Sequence, residues 1–439
     1  MTQLKSAADS PVFWGWLSMS SRALIPILGI YYSSVYLTDN ASLIFWYSLT
    51  IFAIVGLFDL GFTSTFTRYF ALFGFSDGKK IIDTEGKKVS TLLNLQDIVY
   101  KKLVSLFIIF SFFIFGNLLW PLSSSEFNNN IQAIFSIFFV CAGASFTLFS
   151  AKYRAVISGF GHIKEQKIIE AIIGIGTSII FFILLDASLT IIFGSFFIFR
   201  FLELILLRRR ASKYLERFYP FYSNQIEGSL KKEVYEASFK SGLGVLATTG
   251  TIEGCALLSG FLFDSGTAAD YIAAQRFVLM LSAFSNLPFQ VEIPKLVVRY
   301  KYRDYNSVVL RAKFLSRIVF FLLFSGGAIT FYGLNFGSYF TSFENPFDNH
   351  LWWSLILYAL LERAGAINVQ LQTFNRIVNW HKSNGITGLL IVILVIPLSN
   401  VYGPVGFAYS FILVYLIVYL PYSIFLKKSA YPNISIIDE

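Results

Sequence analysis

Six ionisable side chains within apolar runs of this 439-residue chain stand out: Arg22, Asp59, Glu253, Arg276, Glu362 and Arg363. A charge in hydrocarbon costs at least ~3 kcal/mol on insertion scales, so such residues turn toward a bundle interior or a cavity. Spacing suggests partners. The runs 14–37 and 43–66 join near residue 40, with Arg22 18 residues before that turn and Asp59 19 after it. The runs 241–263 and 267–290 join near residue 265, with Glu253 12 before and Arg276 11 after. In antiparallel helices of equal rise, both pairs sit at matched depth, the second ~17 Å from the outer surface and close to the midplane. Glu362 and Arg363, about 13 residues from the outer end of the run 350–373, reach a similar level. Adjacent residues point ~100° apart on a helix, which argues against one shared partner for these two.

Two readings of these charges stand side by side. They can be ion pairs that fasten helices, or the lining of a cavity of positive character modulated by carboxylates. Three arginines at depth, Arg22, Arg276 and Arg363, favour the cavity, because a guanidinium stays charged and offers a fork suited to phosphate. Asp59, Glu253 and Glu362 are charge partners or sites for a coupling proton or sodium ion. Arg68 and Arg299, each followed by a tyrosine, occupy similar places after the second and eighth runs, at a cytoplasmic entrance. Enzyme chemistry finds little support. His162, His350 and His381 sit near run boundaries without metal-ligand spacing, and His162-Ile-Lys-Glu165 reads as a loop fragment. No Gly-rich phosphate loop ends in Lys-Ser/Thr. Cys141 and Cys255 lie in apolar runs and suggest neither a disulfide framework nor a metal site. We therefore expect no catalytic residues, no metal and no cofactor.

The elements that must carry these residues are helices in a membrane. The chain is 55% hydrophobic and only 14% charged, where a soluble protein carries about 25%. Twelve apolar runs span 14–37, 43–66, 103–122, 131–151, 168–185, 187–207, 241–263, 267–290, 314–334, 350–373, 384–399 and 403–426. Most approach the ~20 residues that cross ~30 Å of hydrocarbon. The expectation is an all-α polytopic membrane protein of twelve transmembrane helices. Lys79, Lys80, Lys87 and Lys88 follow the second run, the loop after the fourth holds Lys152, Arg154, Lys164 and Lys167, and Arg208-Arg209-Arg210 follows the sixth. The intervening connections at 38–42, 123–130, 186, 264–266, 335–349 and 400–402 contain no Lys or Arg. That alternation places both termini in the cytoplasm, and it reads the net charge of +9 as topology and not as nucleic-acid binding. The first run lacks a small-residue cleavage pattern and stays as the first helix.

The basic segment 208–240 divides the chain into an N-terminal six-helix lobe, 1–207, and a C-terminal six-helix lobe, 241–439. Its part Ser212–Tyr222 suits a helix on the membrane surface or a solvated linker equally well. Gly250-Thr-Ile-Glu-Gly254, Gly174/Gly176 and Gly385/Gly388 are candidate close helix contacts. Pro26, Pro288, Pro397 and Pro421 remove helical hydrogen bonds and mark candidate bends.

Gly56-Leu-Phe-Asp-Leu-Gly61 with Arg68-Tyr69, Tyr153-Arg-Ala-Val-Ile-Ser-Gly-Phe-Gly161 and Gly403-Pro-Val-Gly-Phe-Ala408 carry a family resemblance over the whole chain. It resembles the polysaccharide transporter family, the Wzx-like O-antigen lipid-carrier flippases of the multidrug/oligosaccharidyl-lipid/polysaccharide exporter superfamily. The resemblance implies a protein of the bacterial inner membrane, with two lobes around a central cavity and alternating access. It implies that an undecaprenyl-pyrophosphate-linked oligosaccharide moves from the cytoplasmic to the periplasmic leaflet for O-antigen or capsule assembly. Membrane lipids, a polysaccharide polymerase and a chain-length regulator are the partners it suggests, and a proton gradient, a sodium gradient or the membrane potential the driving force. Arg22 and Arg276 match places where relatives carry cavity arginines; Arg363 matches none securely. The rivals are a cation-coupled small-molecule exporter of the same superfamily, which would favour acidic or aromatic cavity walls, and a membrane glycan polymerase or ligase. The latter needs a large external loop, for which 335–349, without Lys or Arg, is a poor candidate.

Overall fold

The computed structural model describes residues 11–74, 83–126, 130–216, 228–338, 347–373 and 380–430. Helices α1 (Pro11–Tyr36), α2 (Asp39–Phe58), α3 (Phe62–Gly74), α4 (Asp83–Glu126), α5 (Asn130–Gly159), α6 (Ile163–Ile183), α7 (Leu189–Leu215) and α8 (Gly228–Leu262) come first. Then follow α9 (Ser265–Ser285), α10 (Leu287–Lys301), α11 (Tyr305–Ser338), α12 (Asn349–Thr373), α13 (Trp380–Tyr402), α14 (Val405–Val414), a π-helical turn (Tyr415–Tyr419) and α15 (Leu420–Ala430). No strand occurs among the described residues. Eight helices there are long and apolar enough to cross a membrane. The helices bearing Arg22, Arg276 and Glu362–Arg363 are not among the eight. This is a multi-pass, all-helical membrane protein. Backbone groups in hydrocarbon must bond internally, and helices achieve that within one segment. Large side chains such as Phe113, Phe182, Phe321 and Phe425 accordingly point outward.

The chain forms two compact units, Met1–Leu246 and Ala247–Glu439. In the first, α5 packs along α7 and α1 along α6. Gly174 of α6 leaves no room for a Cβ against Ser21 of α1, and the Ser178 hydroxyl donates to the Ser21 carbonyl at 2.9 Å. Small residues let these backbones approach. In the second unit α12 packs on α9, α14 and α15, and Gly388 of α13 meets the Ala247 carbonyl of α8. Gly254, by contrast, faces open space. The segment 217–227, with most of the expected surface helix, and the loop tips 127–129 and 339–346 lie outside the described residues.

Two expected spans are broken helices. The run 43–66 divides at Asp59–Gly61, where Leu60 (φ 47°) and Gly61 (φ 72°) enter the left-handed region. Asp59 holds the break. Its carboxylate accepts from the Thr63 backbone N–H at 3.1 Å, the Thr63 hydroxyl at 2.5 Å and the Tyr100 hydroxyl at 2.8 Å. These bonds satisfy donors freed at the start of α3 and tie the break to α4. Gly242 of α8 sits directly on the Leu60 backbone, and Gly61 on Ser241, which no larger residue permits without movement. The run 267–290 divides at Asn286, and Pro288 falls in the first turn of α10, where its missing N–H is harmless. The π-helical turn ends just before Pro421, which offers no N–H to the carbonyl one turn back.

Candidate functional site

Unit 1 gathers a polar network from four helices. Glu170 of α6 is its centre, 3% exposed. Its Oε2 receives Arg22 Nη2 at 3.1 Å, Lys167 Nζ at 2.8 Å and the Ser18 hydroxyl at 3.3 Å. Its Oε1 accepts from Gln166 Nε2 at 2.7 Å and lies 3.5 Å from Arg154 Nε. Arg154 of α5 also donates to Glu203 of α7 at 2.5 Å, and Glu203 pairs with Arg200 at 2.7 Å. Arg154 thereby bridges both carboxylates.

Charge and burial are distributed unevenly. Glu170 and Glu203 are sealed at 3% and 1% exposure, whereas the Arg22 side chain is 44% exposed. Four cations, Arg22, Arg154, Lys167 and Arg200, surround two carboxylates, leaving two positive charges in excess. Carboxylates buried among guanidinium groups and an amide satisfy the condition for charge burial, which is pairing with hydrogen bonds. The cations are more exposed than the carboxylates they surround, Arg22 and Lys167 the most. Such a surface attracts an anion, and bidentate arginines match phosphate oxygens.

The Arg22–Asp59 depth match does not become a pair. Arg22 bonds Glu170 because α1 lies along α6 much more closely than along its chain neighbour α2. Asp59 instead bonds Thr63 and Tyr100. Arg154 and Lys167, expected in a connecting loop, are helical, because the actual connection is only 160–162. Sequence reasoning overlooked Glu170, Arg200 and Glu203, all within the runs 168–185 and 187–207. The signal was available: Arg200 and Glu203 are three residues apart on one helix face.

In unit 2 the depth match of Glu253 and Arg276 is a contact. Arg276 Nη1 donates to Glu253 Oε1 at 2.8 Å, and Nη2 bonds Oε2, so the pair is bidentate across α8 and α9. Arg276 is 10% exposed and Glu253 4%. Neighbouring Gln275 donates to the Ile252 carbonyl at 3.0 Å, a second clamp between the same helices. Glu362 and Arg363 of α12 do meet, at 2.6 Å, because two long side chains bend across the angle that separates their Cβ atoms. Buried Tyr271 lies within electrostatic range of the Glu253–Arg276 pair, and buried Tyr358 within range of Glu362, Arg363 and Tyr271. Arg68 and Arg299 are exposed: Arg68 lies over the Tyr69 ring at 5.8 Å, and Arg299 donates to Ser307 at 2.7 Å. No cluster of His, Cys, Asp and Glu suited to a metal ion occurs among the described residues.

No protein-family model and no curated protein sequence matches this chain. Solved structures do. An inward-facing multidrug resistance MATE transporter of the MOP superfamily superposes with a TM-score of 0.64 at 11% identity, over 95% of this chain and 96% of its own. The lipid II flippase MurJ, in an inward closed conformation, gives a TM-score of 0.64 at 16% identity over 94% and 87%. A MOP superfamily transporter from Pyrococcus furiosus, described as having a binding pocket of reverse polarity, gives 0.55 at 12% over 97% and 96%. The chain has the fold of the MOP-superfamily transporters.

Proposed function

We propose that this protein is a flippase that carries an undecaprenyl-pyrophosphate-linked oligosaccharide from the cytoplasmic to the periplasmic leaflet, for assembly of O-antigen or capsule. The observation that carries the reading is the excess of positive charge around Glu170 and Glu203, with Arg22 at its exposed edge. A pyrophosphate headgroup needs donors of fixed geometry away from bulk water, and arginines held by buried carboxylates provide them before the substrate arrives. Arg276, and with it Arg363, is the corresponding donor in unit 2, each restrained by its own carboxylate. The polyprenyl tail stays in lipid while the headgroup crosses. The twelve spans, two six-helix lobes and cytoplasmic termini expected from sequence belong to the same proposal, as does placement in the bacterial inner membrane.

The rival within the fold is a cation-coupled small-molecule exporter, and the MATE likeness keeps it in view. A network with more cations than carboxylates repels cationic compounds, which favours the anionic headgroup. The test is complementation of a flippase-null host, scoring surface polysaccharide against membrane abundance by immunoblot. Arg22→Ala and Arg276→Ala are expected to insert normally and to abolish export, while Arg276→Lys retains part of it, since charge remains and the fork is lost. Normal polysaccharide in both alanine variants would overturn the assignment.

A further inference from the structure

The lipid-facing side of unit 1 carries a second feature, unconnected with the transport site. An apolar groove of about 390 Å³ lies between α4, α5 and α7. Val104, Ile108 and Phe112 form its α4 wall, Phe138 and Ala142 belong to α5, and Leu204 to α7. Ile108, Phe112 and Phe138 are exposed, as side chains that meet lipid must be.

The α4 and α5 walls are helical stripes, α7 contributes Leu204, and one turn beyond the groove on each helix is a cation. Lys101 precedes Val104 by three residues, Lys152 follows Phe149 by three, and Arg208 follows Leu204 by four. Residues three or four apart share a helix face. Lys152 pairs with Asp97 and its carbonyl accepts from Gln96, so the C-terminal part of α5 lies beside the part of α4 that precedes Lys101, and two short connections return α7 parallel to α5; all three steps lead to the same end of the groove. The Lys152 ammonium lies over the Phe149 ring at 5.6 Å and pairs with Asp97, one turn before Lys101. Arg208 is close enough to act electrostatically on Lys152. Lys101 and Arg208 are exposed and form no ion pair among the described residues. The collar holds three cations against one carboxylate.

We propose that this groove seats one acyl chain of an anionic phospholipid of the surrounding bilayer, with Lys101, Lys152 and Arg208 receiving its phosphate headgroup. Length selects the occupant. From Lys101 to Phe112 is 11 residues, or ~16 Å of helix, which matches one leaflet of a ~30 Å hydrocarbon core. A polyprenyl chain would overrun it. The collar selects the headgroup, since a cation near the membrane surface favours an anionic lipid by about fivefold in affinity.

The experiment uses purified full-length protein in phosphatidylcholine nanodiscs doped with phosphatidylglycerol or phosphatidylcholine bearing a diazirine in one acyl chain. Cross-linked peptides are mapped by mass spectrometry after photolysis. The expected result is preferential labelling of the α4 and α5 walls by phosphatidylglycerol, reduced by roughly 25-fold in Lys101→Gln/Arg208→Gln if two cations contribute independently. Lys101→Gln alone is expected to lose about fivefold and serves if the double variant does not purify. Ala142→Phe, which fills the groove and leaves the collar intact, is expected to lose the labelling. Equal labelling by both lipids, unchanged labelling in the glutamine variants, or displacement of the probe by polyprenyl phosphate but not by phosphatidylglycerol would each overturn the proposal.

Discussion

At the scale of single residues, members of one network are expected to behave differently because their burial differs. Removing Glu203 leaves Arg200 without its carboxylate and Arg154 with Glu170 alone, and breaking such a buried pair costs about 3–5 kcal/mol. Glu203→Ala is therefore expected to lose membrane abundance and to lower the thermal unfolding midpoint in detergent. Arg22→Ala removes a half-exposed cation and leaves Glu170 with Arg154, Lys167 and Gln166, so about 0–1 kcal/mol of stability is at stake. Export is expected to vanish in a protein that unfolds at nearly the parental temperature. An equal fall in stability for both variants would make Arg22 a mere fastening. The Glu253–Arg276 pair admits a sharper separation. Exchanging the two residues is expected to rescue the abundance lost in either single variant, since the bidentate geometry can reform. Export is not expected to return, because the guanidinium then projects from α8. Full recovery of export would leave Arg276 structural and shift binding to Arg22 and Arg363. Charges surrounded by apolar sequence, such as Arg22 and Arg276, were legible from sequence. Partners were legible only across a short hairpin such as α8–α9, because depth arithmetic presumes that neighbours in sequence are neighbours in space, and α1 breaks that presumption by lying on α6.

At the scale of elements, the broken helix at Asp59–Gly61 explains why glycines and an aspartate punctuate an apolar run. Hydropathy cannot show such a break, since both halves are apolar. The break shows in a left-handed backbone and in the carboxylate that caps α3. Gly61→Ala is expected to destabilise the protein by about 1–2 kcal/mol from the left-handed backbone, with more added by the Ser241 contact. Gly254→Leu faces open space and should be nearly neutral, whereas Gly388→Leu must push α13 from α8 and is expected to cost much more. Thermal unfolding of the three variants in one detergent gives the ranking, and a Gly254 variant as unstable as the Gly388 variant would contradict it. Asp264 caps α9 by accepting from the Thr267 backbone N–H at 3.0 Å, which holds its carboxyl below the usual aspartate range. A depressed folded pKa contributes stability above the unfolded value and loses it as pH falls toward the folded one. Below about pH 4, the parental protein is thus expected to lose a small increment of stability that Asp264→Asn lacks. Unfolding midpoints from pH 6 to 3 measure the difference.

At the scale of the molecule, the helical architecture and much of the helix order were legible because apolar length and polar punctuation repeat along the chain. The packing of α1 on α6 and the bridging by Arg154 were not, because they depend on which faces meet. Topology is a global property for which the sequence gives an expectation, through the asymmetry of its basic segments. Lys87 and Lys88 begin α4, Lys152 and Lys164 flank the turn between α5 and α6, and Arg208, Arg209 and Arg210 close α7. The helix order carries all of these to one side, and translocating such clusters against the membrane potential is unfavourable. Ser123, near the opposite end of α4, belongs to a segment without Lys or Arg. In a background with Cys141 and Cys255 replaced by alanine, a cysteine at Ser123 is expected to react with an impermeant maleimide in intact cells. A cysteine at Lys88 is expected to react only after permeabilisation. External labelling at position 88 would invert the topology. It would also place the Lys101, Lys152 and Arg208 collar in the outer leaflet and reverse the direction in which Arg68 and Arg299 could admit a substrate. For that reason the labelling experiment precedes any transport assay in reconstituted vesicles, where orientation decides which leaflet presents the lipid.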